Sequence, residues 1–111
     1  QTLQGQLDMH RTRSLSVIFM DIDDFKLVVD TYGHLNGSRT IAELADVVRS
    51  VLPDGCYGVS YGGDEFVIVL AGHDRKKGIL VAETIRQAIE QTEFLTTQDL
   101  SIQITVSCGV A

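Results

Sequence analysis

Tyr61-Gly62-Gly63-Asp64-Glu65-Phe66 is the stretch from which the fold is read. Apolar residues precede it at Tyr57, Val59 and Tyr61, and the run Phe66-Val67-Ile68-Val69-Leu70 follows. Paired glycines between two strand-like runs predict a tight β-hairpin, because glycine takes positive φ without a Cβ clash. The acids after the glycines sit oddly in such a hairpin, since Asp and Glu are poor strand formers. Two carboxylates a few ångströms apart repel by about 1 kcal/mol in water and by more in a less polar site. A divalent cation would offset that repulsion. A solvated acidic hairpin tip is the plainer alternative.

A second acidic group, Asp21-Ile22-Asp23-Asp24, closes the most apolar run of the first half, Leu15-Ser16-Val17-Ile18-Phe19-Met20. If this strand lies beside the hairpin, Asp21 and Asp64 meet across the ladder, since neighbouring strands are about 5 Å apart. The product would be an oxygen-rich site suited to Mg²⁺, which favours carboxylates and substrate phosphates.

Outward from these clusters, the pattern predicts a strand over 15–21 and a short helix over 24–32. Phe25, Val28 and Val29 form that helix's apolar side, and Gly33 stops it. A longer helix is expected over 38–52, with Ser38 as its N-cap. Its stripe, Ile41, Leu44, Ala45, Val48, Val51 and Leu52, follows a 3.6-residue period. Pro53-Asp54-Gly55 ends it. Residues 71–77 read as a polar connection, and 78–91 as a helix with Ile79, Ala82, Ile85 and Ile89 inward. Ile102, Ile104, Val106, Cys108 and Val110 alternate with Gln103, Thr105 and Ser107, the mark of a strand with one buried face. Residues 1–13 are polar and read as the tail of a helix. Strand, helix, helix, hairpin, helix, strand makes an α/β (α+β two-layer) domain, with helices packed on a largely antiparallel sheet.

The chain of 111 residues is long enough for one core without staples. A net charge of −6 argues against a nucleic-acid-binding surface. A triphosphate ligand would need metal ions and a few local cations instead. Cys56 and Cys108 have no metal-ligand spacing, and each reads as a small buried hydrophobe in a reducing cytoplasm. No apolar run approaches the roughly 20 residues of a membrane span. The expected location is cytoplasmic, with room for a parent protein tethered to a membrane.

The motifs Asp21-Ile-Asp-Asp-Phe-Lys26, Asp30-Thr-Tyr-Gly-His34 and Gly62-Gly-Asp-Glu-Phe66 occur in the order and spacing of the GGDEF family, the diguanylate cyclases, which the chain resembles. Ser107-Cys-Gly-Val-Ala111 resembles a fourth, strand-borne block, so the likeness covers the chain from about Leu15 onward. The resemblance implies a ferredoxin-like, palm-type sheet akin to nucleotidyl cyclases and polymerases. It also implies that two GTP molecules are joined into cyclic di-GMP with release of pyrophosphate, each domain holding one GTP and a homodimer being needed for catalysis. Asp21 through its carboxylate, Ile22 through its carbonyl, and Asp64 would bind Mg²⁺ or Mn²⁺. Asp64 would also accept the proton, and Glu65 would complete the acidic site. Gly62 and Gly63 would let the backbone approach the nucleotide. Lys26 would contact phosphates, unless it is a solvated helix lysine. Phe25 and His34 fall on the substrate side, although a histidine after Gly33 also has a structural reading. Asp23 and Asp30 read as helix-end or hydrogen-bonding residues, Asp23 favouring the helix macrodipole.

Where family members usually carry a guanine-binding asparagine this chain has Val29, and where they carry a guanine-binding aspartate it has Ser38. Without those hydrogen bonds roughly 3–6 kcal/mol of binding is removed, at about 1.5–3 for each charged bond. An arginine often found before the signature aromatic is Ser60. Pro53 and Cys56 occupy the places of the family's Arg-x-x-Asp feedback motif, so no such site is expected. The family's last strand and helix are expected to be missing after Ala111, and its Asp-x-Leu-Thr-Gly-Leu block has only a faint counterpart in Thr2-Leu-Gln-Gly-Gln. The resemblance therefore implies a metal- and nucleotide-binding regulatory domain of cyclic di-GMP signalling, in some relatives joined to a sensory or EAL phosphodiesterase domain. The alternatives are an active diguanylate cyclase and a relaxed synthase that uses ATP or GTP, since relatives with serine at the Ser38 position accept both.

Overall fold

A computed structural model describes residues 14–60 and 63–111. The expected helix tail over 1–13 and the role given to Gly62 lie outside the described residues. In chain order the elements are β1 (Leu15–Ile22), α1 (Phe25–Tyr32), α2 (His34–Val51), β2 (Tyr57–Ser60), β3 (Glu65–Ala71), α3 (Arg75–Glu90) and β4 (Val106–Val110). A short 3₁₀ turn, Thr96–Gln98, precedes β4.

The four strands form one sheet in the order β2-β3-β1-β4, and every described pair is antiparallel. Period two sorts the side chains. On the inner face Ile18 and Ile68 stand opposite each other and are both fully buried. Each contributes about 1.5–3 kcal/mol by leaving water. Leu44 and Val48 of α2 and Val81, Ile85 and Ile89 of α3 close this core from the helix side. The expected two-layer α+β architecture is what forms.

Several boundaries differ from the sequence reading, each for a local reason. Helix α2 starts at His34 rather than Ser38, and its N-cap is Gly33, at φ 92. Ser38 lies inside the helix and is exposed, so the capping role assigned to it is wrong. The earlier start is held by the bond from Asn36 Nδ2 to the Tyr32 carbonyl (3.0 Å) and by the close crossing of α1 and α2. At that crossing a Cβ on Gly37 would lie 2.9 Å from Val29 Cγ2 and 3.3 Å from Phe25 Cζ. Tertiary packing thus overrides the poor helix propensity of Asn36 and Gly37.

Helix α3 starts at Arg75 because Asp74 caps it, accepting a bond from Lys77 N at 2.9 Å. Ile79, expected inward, is 45% exposed, and Val81 takes the inner place. The buried stripe of α3 begins at Gly78, whose missing side chain lets the helix press against Ser16 of β1. Strand β4 begins at Val106, not Ile102. Val106 pairs with Ile22, the last residue of β1, while Ile102 pairs with Phe94 in an isolated bridge. Ile102 and Ile104 nevertheless stay buried, as the alternation required. The cysteines are half-buried rather than core residues, and both are free thiols.

Candidate functional site

The acids collect at one end of the two inner strands. Register decides which of them face each other. Asp21 stands opposite Glu65 on β3 and opposite Ser107 on β4. The residue across from Asp21 is therefore Glu65, and the expected Asp21–Asp64 pair is off by one step. Asp64 is opposite Ile22 instead, and its carbonyl accepts a bond from Ile22 N at 3.1 Å. Gly63, at φ 91, holds the left-handed conformation that glycine adopts without strain.

Asp21 and Glu65 are exposed and Asp64 is half-buried. None of the three carboxylates accepts a hydrogen bond from the described residues. Two like charges sit directly opposite with no protein cation among the described residues to balance them. Asp21 and Glu65 line a recess of about 250 Å³ on the sheet, together with Phe19, Met20, Phe66 and Val67. Among the described residues no group of three or more His, Cys, Asp or Glu is drawn together as a metal cage. The donor set fits Mg²⁺ all the same. That ion takes hard oxygen ligands and is held through one or two carboxylates plus substrate phosphates, rather than by an all-protein cage.

The turn from β1 into α1 carries a feature the sequence reading missed. Asp23 is not spent on the helix: α1 starts at Phe25 with Asp24 at its N-cap position, in the left-handed region at φ 56, and no side chain caps it. Asp23 instead reaches to the other neighbour of β1. Its Oδ2 accepts from Thr105 Oγ1 at 2.8 Å and its Oδ1 from Ser107 Oγ at 2.7 Å. Its backbone N donates to the Thr105 carbonyl at 2.9 Å. The signal was the period-two placing of Thr105 and Ser107 on the polar face of the last strand.

The remaining site candidates are spread over the two small helices. Lys26 is exposed and pairs with Asp30 at 2.9 Å, one helical turn away. Exposed pairs of this kind contribute about 0.3–0.5 kcal/mol, so the ammonium is easily released to another anion. Val29 is half-buried at the α1–α2 crossing, with Phe25 beside it. His34 opens α2 and is exposed. No described helix is long and apolar enough to cross a membrane.

An antiparallel α+β domain with unpartnered acids at one end of its inner strands defines a class seen in known proteins. The chain belongs to the GGDEF family, described as "Diguanylate cyclase, GGDEF domain", which matches residues 1–111. It is a domain of the diguanylate-cyclase type. Diguanylate cyclase A of Treponema denticola is 33% identical over 91% of this chain and 27% of its own length. An uncharacterized membrane protein of Staphylococcus haemolyticus is 30% identical over 96% of this chain and 30% of its own. The chain thus spans about a third or less of these relatives. Among solved structures, the active GGEEF domain of a diguanylate cyclase from Vibrio cholerae superposes with a TM-score of 0.81 at 33% identity, covering 96% of this chain and 67% of that one.

Proposed function

We propose that this domain serves cyclic di-GMP signalling as a metal- and nucleotide-binding regulatory unit with impaired guanine recognition. Asp21, the Ile22 carbonyl, Asp64 and Glu65 would hold Mg²⁺ or Mn²⁺ together with the phosphates of a nucleoside triphosphate. The ion would supply charge neutralisation at the phosphates and acidify an attacking ribose hydroxyl. Lys26 would exchange Asp30 for a phosphate oxygen. Two such domains face to face would be required for any turnover, because each holds one nucleotide.

The observation that carries the regulatory reading is the surroundings of Val29. Its side chain packs toward Gly37 and offers a base no hydrogen bond, while Ser38 on α2 presents one neutral hydroxyl. Removing one charge-assisted hydrogen bond lowers affinity by about 1.5–3 kcal/mol, which is roughly one to two powers of ten. A second reading, an active cyclase, is favoured by the complete Gly62-to-Phe66 signature and by the 33% identity to an active domain.

Calorimetric titration of the full-length protein with GTP and with ATP, each with Mg²⁺, separates them. The regulatory reading expects weak binding that ignores the base and disappears in Asp21→Ala. Guanine-selective binding, or cyclic dinucleotide formed above an Asp64→Ala control, would sink it.

A further inference from the structure

Asp23 lies one residue beyond the pair that is proposed to hold the metal, and nothing in that proposal uses it. Each of its carboxylate oxygens has a protein partner. Both oxygens accept hydroxyl bonds from one stretch of chain, at 2.8 Å from Thr105 just before β4 and 2.7 Å from Ser107 within it. The backbone bond from Asp23 N to the Thr105 carbonyl (2.9 Å) makes a third tie. Three bonds therefore fix the point where β1 ends and the chain turns into α1. They are needed there, because the next residue, Asp24, is in the left-handed region at φ 56, uncommon for a residue with a side chain.

Ser107 links this turn to the acid before it. It is the β4 residue directly opposite Asp21, so its hydroxyl is a neighbouring donor available to the Asp21 carboxylate across the ladder. In the structure that hydroxyl is given to Asp23. Asp21 is left without a protein hydrogen bond among the described residues. The arrangement therefore anchors the backbone on the far side of Ile22 and draws a competing donor away from the acid beside it.

Resting on the metal-site reading above, we infer that Asp23, with Thr105 and Ser107, is a positioning device for the metal end of the site. It fixes the Ile22 carbonyl through the turn and keeps the Asp21 carboxylate open to a cation. Asp23 acts from behind the ligands, each of its oxygens being turned to a hydroxyl of Thr105 or Ser107. The function of the clamp is orientation, of the kind that hydrogen-bonding groups behind metal ligands perform.

The test measures Mn²⁺ affinity by electron paramagnetic resonance in the presence of GTP, on the full-length protein, with thermal unfolding recorded alongside. Ser107→Ala and Thr105→Val each remove a hydroxyl; Ser107→Thr and Thr105→Ser each keep one. The inference expects the hydroxyl-deleting variants, and Asp23→Ala, to bind Mn²⁺ about tenfold to a hundredfold more weakly. The hydroxyl-keeping variants should stay near wild type. Weakening that tracks the hydroxyl and not the melting temperature separates positioning from plain stability. If Ser107→Ala and Thr105→Val bind Mn²⁺ as wild type does, the clamp is structural only and the inference is overturned, while the metal-site reading stands. If wild type shows no Mn²⁺ binding that Asp21→Ala abolishes, the metal-site reading fails and the inference falls with it.

Discussion

Replacing Glu65 with glutamine is expected to make the domain more stable. The register sets Glu65 directly opposite Asp21 at the end of the inner pair of strands, and both are exposed. Cβ atoms of directly opposed residues lie about 4.5–5.5 Å apart, and like charges so placed cost about 0.2–1 kcal/mol. Coulomb's law agrees: two unit charges about 5 Å apart in water repel by about 0.8 kcal/mol. Water is the proper medium for exposed carboxylates, so the larger interior figures do not apply. Glu65→Gln should therefore gain about 0.5–1 kcal/mol in urea unfolding at low salt. At about 1 M salt, where the Debye length shrinks to about 3 Å, the gain should nearly vanish. Asp21→Asn should show the same gain, and the double variant should gain little more than either single one, because both remove one repulsion. A gain that persists at high salt, or adds in the double variant, would refute the electrostatic explanation. A drop in stability in either single variant would refute it more directly.

Three further outcomes follow from packing and burial. A Cβ on Gly78 would collide with Ser16 Oγ and lie 3.0 Å from Val110 Cγ1, with Ser16 fully buried. Gly78→Ala should cost about 1–3 kcal/mol through overpacking, against a helix-propensity gain of about 1, and Ser16→Gly should restore part of the difference. Gly109→Ala, which meets nothing within 4 Å, should stay within about 0.5 kcal/mol of wild type in the same urea titration. Burial raises the pKa of both Cys56 and Cys108 above the usual thiol value, with Asp54 adding to it at Cys56. Each holds less thiolate near neutral pH than a free cysteine, so iodoacetamide should alkylate both more slowly than glutathione. The rate should climb with pH past the usual thiol value, and a rate equal to that of glutathione at about pH 8 would contradict the shift.

The sheet was legible because its strands announce themselves twice, through alternation and through flanking turn residues. Ile18, Met20 and Ile22 on one strand, and Phe66, Ile68 and Leu70 on another, leave little choice of inner face. Helix starts were less legible. Asp74 is a good N-cap by residue type, yet it sits in a polar run where His73, Arg75, Lys76 and Lys77 hide the apolar stripe that begins at Gly78. Ser38 misled for the opposite reason, being a good cap residue at a place where the α1–α2 crossing had already committed the chain to helix. The acids were readable as a group but were mispaired. Whether Asp64 or Glu65 faces Asp21 is a question of ladder parity: with Phe66, Ile68 and Leu70 inward, Glu65 shares the outer face of Asp21 and Asp64 does not, a constraint the motif-based pairing left unused. The Asp23 clamp was beyond reach for another reason: Thr105 and Ser107 are 82 and 84 positions away, and only the β1–β4 pairing brings them near.

The alternation along β1 separates two kinds of constraint. Ser16, Ile18, Met20 and Ile22 face the helices, while Asp21 lies between two of them on the other side. A substitution at Asp21 can change the chemistry without disturbing the interior, and one at Met20 can alter the interior without changing the acids. Adding or removing a single residue within Leu15–Ile22 has no such freedom. It would turn Asp21 inward and one of its apolar neighbours outward, so the same slip would ruin stability and chemistry together. This segment tolerates rewriting letter by letter, but its length is fixed.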